Sequence, residues 1–247
     1  MKAIILAAGR GSRMNEKTAE IPKCMMKLFG ITLLDHCINS LESAGIVRAN
    51  IGIVTGYKKE KIQVDGVRCF HNQNWESTNM FVSLTAAREW LKSESSIVSY
   101  SDIVFHPSTV TKLMNTDGDI AMTYYTGFWE LWSKRFPNPL DDLETFKIAN
   151  GKLIEIGSKP ESKEDIQGQY MGLLRFTPTG WQNVESALTN VISKSLERLD
   201  MTTLLQHMVT LGYEVCTIPT DKLWLECDNQ NDIQLYENIF SYTDVIA

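Results

Sequence analysis

The residues whose types and spacing could do chemistry are concentrated near the start of the chain. Leu6-Ala7-Ala8-Gly9-Arg10-Gly11-Ser12-Arg13-Met14 follows a short apolar run, and Pro22-Lys23 comes a few positions later. Two glycines and two alanines let main-chain N–H groups approach an oxyanion closely. Little Cβ bulk intervenes, and glycine takes the φ > 0 angles that turn such groups inward. Arg13 and Lys23 add mobile positive charge and are the candidate catalytic residues for chemistry on a phosphate. A dinucleotide-binding turn would need glycine where Met14 stands, and a Walker loop would need Gly-Lys-Ser/Thr, which is absent. An ordinary glycine-rich strand-to-loop turn is the remaining alternative.

Acidic and polar residues form the second group. Asp102 stands just past the apolar run 95–100, next to Ser101, where the carboxyl end of a central strand is expected. A hard divalent ion such as Mg²⁺ takes one or two such carboxylates together with phosphate oxygens. An N-cap or turn aspartate is the competing reading. In 223–228, strand alternation puts Glu226 and Asp228 on one face, where neighbouring carboxylates repel unless a cation or proton lies between them. Asp228 leading into a final helix is the alternative there. The polar loop 71–79 ends in Ser77-Thr78-Asn79, whose groups carry the donors and acceptors that reading a base requires. Capping of the next helix by Thr78 or Asn79 explains them equally well.

The elements that must position these residues alternate between buried strands and helices. Residues 1–6, 50–54, 67–70, 95–100, 119–125, 173–176 and 213–218 read as strands. Helices are expected at 32–44 with Thr32 as N-cap, along the apolar face Met80, Leu84, Ala87 and Leu91, and at 178–193, 201–211 and 232–240. The pattern predicts an α/β fold, with a Rossmann-like, mostly parallel mixed sheet flanked by helices. The turn Thr55-Gly56-Tyr57 then lies on the same rim as the first loop, so Gly56 and Tyr57 are candidates to line a base pocket; a plain strand–helix turn is the alternative. Residues 127–142 look irregular and are dense in aromatics, with Trp129 and Arg135 among them. Such a cluster can enclose an amino-bearing substrate, pack as a flap, or form the contact of a homodimer. Residues 145–148 and 152–156 read as a hairpin turning at Asn150-Gly151. Asp200 is placed to cap the helix that follows it.

The 247 residues fit one domain, with an insertion expected at about 126–170. With 43% apolar and 22% charged residues the composition is that of a soluble protein, and no run is long enough to span a bilayer. A start already in strand pattern argues against a signal peptide, so the cytoplasm is the expected compartment. A net charge of −6 argues against broad nucleic-acid binding. It does not argue against a nucleotide, whose site can be locally positive on an acidic protein. The five cysteines contain no Cys-x-x-Cys pair and suggest neither a zinc site nor a disulfide framework.

The segment 6–14 with Pro22-Lys23 resembles the signature of the nucleotidyltransferases that activate sugar phosphates and small phosphorylated compounds. Asn74-Trp75-Glu76-Ser77-Thr78-Asn79-Met80, Ser99-Tyr100-Ser101-Asp102, Leu131-Trp132-Ser133-Lys134-Arg135-Phe136 and Gly168-Gln169-Tyr170-Met171-Gly172 are similar to the small cytidylyltransferases. That group acts on phosphocholine, 2-aminoethylphosphonate and L-glutamine phosphate, and the likeness is greatest to the last kind, found in capsular phosphoramidate synthesis. The resemblance implies transfer of CMP from CTP to a small phosphate or phosphonate acceptor, with release of pyrophosphate and Mg²⁺ as cofactor. It implies Leu6, Ala7, Ala8, Gly9, Gly11, Ser12 and Ser101 as nucleotide-binding residues and Asp102 and Asp228 as metal ligands. It places Trp129, Arg135, Gln169, Asp200 and Glu226 near the acceptor. Uridylyl or thymidylyl transfer to a sugar 1-phosphate is the alternative, and a non-catalytic nucleotide sensor is the reading from another class.

Overall fold

Buried apolar runs build one large sheet. The computed structural model of the protein describes residues 1–11, 19–189, 191 and 193–246. In chain order the first strands are β1 (Lys2–Ala7), β2 (Lys27–Leu28), β3 (Ile31–Thr32), β4 (Ile51–Thr55), β5 (Arg68–His71), β6 (Ser96–Tyr100) and β7 (Ile103–Phe105). They are followed by β8 (Ile120–Tyr125), β9 (Phe146–Ala149), β10 (Lys152–Ile156), β11 (Gln169–Phe176), β12 (Cys216–Thr220) and β13 (Trp224–Glu226). The helices are α1 (Leu33–Ser43), α2 (Met80–Thr85), α3 (Arg88–Ser93), α4 (Pro107–Met114) and α5 (Phe128–Arg135). After them come α6 (Pro178–Ala187), α7 (Ser193–Glu197), α8 (Met201–Thr210), α9 (Gln230–Ile239) and α10 (Tyr242–Ile246).

Nine strands form the main sheet, in the order β5-β4-β1-β6-β11-β8-β12-β10-β9. β1 pairs in parallel with β4 on one side and β6 on the other. β11 runs antiparallel to β6 and β8, and β10 antiparallel to β12 and β9. The expected mixed, mostly parallel sheet flanked by helices is therefore present. The chain builds outward from β1 to β4 and β5, then returns across it to β6. In open α/β sheets the crevice at the carboxyl ends of strands that part in this way is where ligands bind.

Local capping follows the residue types. Thr32 accepts the Asp35 N–H at the start of α1, Asn79 accepts the Met80 N–H at α2, and Asp200 accepts the Thr203 N–H at α8. The hairpin β9–β10 turns at Asn150 and Gly151, both at positive φ, as expected.

Other elements depart from expectation. The helix expected to run from Met80 to Leu91 divides into α2 and α3, because Ala86 and Ala87 donate to Ser83 and Leu84 in a tightened turn. Each half then follows its own partner, α2 against α7 and β1, α3 against α6. Residues 128–135 form a regular helix whose Phe128, Leu131 and Trp132 enter the core. The short strand β7 pairs antiparallel with β13, matching Ile103 with Glu226. β11 begins at Gln169, with a register shift between Tyr170 and Leu174 at Gly172, so that glycine marks a bulge.

Candidate active site

At the carboxyl end of β1 the chain passes through Ala8 and Gly9 to Gly11, which has φ +69°. A Cβ on Gly11 would lie 2.6 Å from the Cβ of Lys23, so glycine lets the loop lie directly against the lysine stem. Pro22 starts the turn that delivers Lys23: its carbonyl accepts the Met25 N–H at 2.9 Å. A cleft of about 270 Å³ opens here, lined by Leu6, Ala8, Gly9, Gly11, Lys23, Thr78, Asn79, Ser101, Asp102 and Asp228, among others.

Lys23 is the centre of the site's charge. Its side chain is 11% exposed, and its Nζ donates to Asp102 Oδ2 at 2.5 Å and to Asp228 Oδ1 at 3.1 Å. Burial works against the ammonium, but the two carboxylates outweigh it and hold its pKa above the ordinary lysine value. The ribbon of β7 and β13 brings those carboxylates together from positions far apart in the chain. Asp102 directly precedes β7, Asp228 follows β13 by two residues, and the Cys227 N–H donates to the Asp102 carbonyl at 2.9 Å.

A second layer of charge lies behind Asp228. The Arg135 side chain is fully buried and ion-paired with Glu226, Asp228 and Asp232. Its guanidinium lies 4.5 Å from the Trp132 ring centroid and 5.1 Å from that of Phe136. Burial pushes the Glu226 carboxyl up to about 8 and repulsion from Asp228 adds to this, while Arg135 and Lys23 oppose it. The Arg135 side chain, expected near the acceptor, has no exposed surface here, and its partners are protein carboxylates.

Other expected residues are dispersed. Ala7, Gly56, Tyr57 and Ser77 are not among the residues lining the cleft. Gly56 serves close packing: a Cβ there would fall 2.5 Å from Trp75 Cβ and 2.6 Å from the Ala8 carbonyl oxygen. The Tyr57 N–H donates to that same carbonyl at 2.9 Å, tying the β4 turn to the β1 loop. Ser77 donates to the Asn74 carbonyl within its own loop. Trp129 packs edge-on to Phe128 and under the Lys163 ammonium, Gln169 is paired with Tyr125 in the sheet, and the Asp200 carboxylate caps α8. None of these three lines the cleft. Ser12 and Arg13 lie outside the described residues.

Comparison with known proteins gives the family. Residues 3–153 match the MobA-like NTP transferase domain. The chain belongs to this family. It is also 33% identical to the CTP:phosphoglutamine cytidylyltransferase of Campylobacter jejuni, over 95% of this chain and 98% of that protein. Among solved structures it is similar to the inositol-1-phosphate CTP transferase from T. maritima, with TM-score 0.75 and 22% identity, covering 100% of this chain and 97% of that one. The CTP:phosphocholine cytidylyltransferase from Streptococcus pneumoniae matches with TM-score 0.68 and 18% identity, over 96% of this chain and 98% of that one. The protein is thus an enzyme of the nucleotidyltransferase class, on the fold those structures share.

As a nucleotidyltransferase it carries lining residues to which the sequence assigned no site role: Trp75, Met80, Ser83 and Tyr100. Trp75 had a visible signal, since a tryptophan inside a polar loop is rarely there for the core alone. Here it packs edge-on to Tyr57, at 5.2 Å between ring centroids. Ser83 had none, because it lies within a helix; Tyr100, at the end of a buried strand, stood only within the segment Ser99-Tyr100-Ser101-Asp102.

Proposed function

We propose that this enzyme transfers the cytidylyl group of CTP to a small phosphorylated or phosphonate acceptor and releases pyrophosphate. The observation that carries the reading is the convergence of Lys23, Asp102 and Asp228 in a cleft at the end of β1, on a chain similar to a phosphoglutamine cytidylyltransferase over nearly its whole length. An acceptor oxygen attacks the α-phosphorus of CTP, a new P–O bond forms, and the bond from that phosphorus to the bridging oxygen of the leaving pyrophosphate breaks. The attacking oxygen is ionised near neutral pH, so no general base is needed. What the protein must supply is position and charge, since two unit anions at contact repel by about 1 to 4 kcal/mol in wet surroundings.

Ala8, Gly9 and Gly11 line the cleft, and their lack of side-chain bulk would let backbone N–H groups meet phosphate oxygens. Lys23 supplies an ammonium that can leave its carboxylates for the α-phosphoryl group, and Arg13 is proposed to hold the outer phosphates. Thr78 and Asn79 line the same cleft and are proposed to meet the nucleoside, although Asn79 also caps α2. Asp102 and Asp228 fit a divalent ion, because both already direct a carboxylate oxygen at a single cation, the Lys23 ammonium. Among the described residues no cluster of three or more His, Cys, Asp or Glu could hold a metal, so phosphate oxygens of the nucleotide would complete the set. Bound there, Mg²⁺ would neutralise phosphate charge as it builds in the transition state.

The acceptor is tested by a panel. Phosphoglutamine, phosphocholine, aminoethylphosphonate and sugar 1-phosphates, each crossed with CTP, UTP, ATP and GTP, are assayed for pyrophosphate release. The expected result is CTP-dependent release with a small amino-bearing phosphate. Preference for UTP with a sugar 1-phosphate would overturn the reading.

A further inference from the structure

We infer that Arg135 is a positioning residue that fixes which oxygen of Asp228 faces the cleft, and so sets metal affinity and turnover from a place no substrate reaches. The inference rests on the proposed function, since it concerns the metal-ligand role given to Asp228.

Contacts on its backbone and on both carboxylate oxygens hold Asp228. Its backbone N–H donates to Asp232 Oδ2 at 2.9 Å, its Oδ2 accepts from Arg135 Nη2 at 3.4 Å, and its Oδ1 accepts from Lys23 Nζ at 3.1 Å. Lys23 belongs to the cleft wall and has work to do on phosphate. Arg135 does not: it is sealed from solvent, ends α5, and lies over Trp132, which itself stacks on Trp224 of β13 at 5.7 Å. When Lys23 turns toward substrate, the Arg135 contact stays.

Guanidinium shape is what the place requires. Nε and Nη2 grip both oxygens of Asp232 at 3.0 and 3.2 Å, while Nη2 also reaches Asp228 and Nη1 lies 3.5 Å from Glu226. Asp232 in turn accepts the N–H groups of Asp228 and Asn229, fixing the turn that starts α9. A lysine ammonium is a single point charge and cannot span this fork. Without the fork, the Asp228 and Asp232 carboxylates would lose the cation between them and the Asp228 carboxylate would rotate.

The test compares wild type with Arg135→Lys and Asp232→Asn. Mn²⁺ binding to the CTP-bound protein is followed by electron paramagnetic resonance, and kcat and acceptor KM are measured at saturating Mg²⁺. Partners that orient a metal ligand typically change metal affinity by about 10- to 100-fold. Arg135→Lys is therefore expected to melt cooperatively, bind Mn²⁺ at least about tenfold more weakly and lower kcat, with acceptor KM within about twofold. Asp232→Asn keeps the guanidinium but weakens its anchor, and is expected to move Mn²⁺ affinity the same way by less; it carries the test if Arg135→Lys does not fold. Unchanged Mn²⁺ binding with a raised acceptor KM would return Arg135 to the acceptor. Unchanged values throughout would make it a packing residue. A wild-type enzyme that turns over CTP without any divalent ion would overturn the metal reading itself, and this role with it. A metal-dependent wild type matched by its variants overturns the role alone.

Discussion

At Lys23 a single ammonium answers two carboxylates, Asp102 at 2.5 Å and Asp228 at 3.1 Å, in the wall of the cleft at the end of β1. Removing that ammonium affects both binding and chemistry. Lys23→Met is expected to lower turnover at least about tenfold, roughly 1.4 kcal/mol of lost transition-state stabilisation, in a steady-state pyrophosphate assay. The same change leaves Asp102 and Asp228 without the ammonium they share. Added Mg²⁺ is therefore expected to raise the melting temperature of Lys23→Met by more than it raises that of wild type. An equal rise in both would mean that lysine and metal do not share the carboxylates.

Among the elements, the β7–β13 ribbon joins Asp102 to Asp228, and side-chain caps start the helices α1, α2 and α8. Asp200→Ala is expected to cost about 1 kcal/mol in urea denaturation, the usual value of a lost N-cap, with acceptor KM unchanged. A large rise in that KM would restore an acceptor role. His36, within α1, is buried and its Nε2 donates to the Leu28 carbonyl of β2 at 2.9 Å. Burial lowers its pKa below the ordinary value of 6.5, against the opposing pull of that hydrogen bond and Asp35. In acid the unfolded chain then takes a proton that the folded chain refuses, so stability present above about pH 6.5 is lost as pH falls below it. His36→Gln is expected to show a shallower loss between about pH 7 and 5, and an unchanged slope would remove His36 from the acid response. These same elements mark the limit of legibility. The β1 loop, Asp102 after β6 and the caps at Thr32, Asn79 and Asp200 could be read because each depends on neighbours in sequence. The strand Ile103–Phe105 is only three residues long, too short for periodicity to declare, and it forms because β13 lies beside it. The place of Arg135 was hidden for a related reason: an aromatic stretch with cations reads alike whether it meets a substrate or Trp224, Asp228 and Asp232.

For the molecule as a whole, the sheet order explains how segments far apart in the chain share one crevice. β1 leads to the glycine-bearing loop of the cleft, β6 leads to Asp102, and the β7–β13 ribbon returns Asp228 to the same point near the end of the chain. A net charge of −6 is compatible with this because the protein places its cations inside the acidic cluster. No helix among the described residues is long and apolar enough to cross a membrane. The central claim is that carboxylate-held positive charge lets two anionic reactants meet. The most direct measurement is phosphorus NMR of CTP with phosphoglutamine and Mg²⁺, in wild type and in Asp102→Asn checked for an unchanged fold. The expected result is acceptor-dependent pyrophosphate in the wild type, abolished by chelating the metal and absent in Asp102→Asn. Pyrophosphate formed by Asp102→Asn at the wild-type rate would contradict the account.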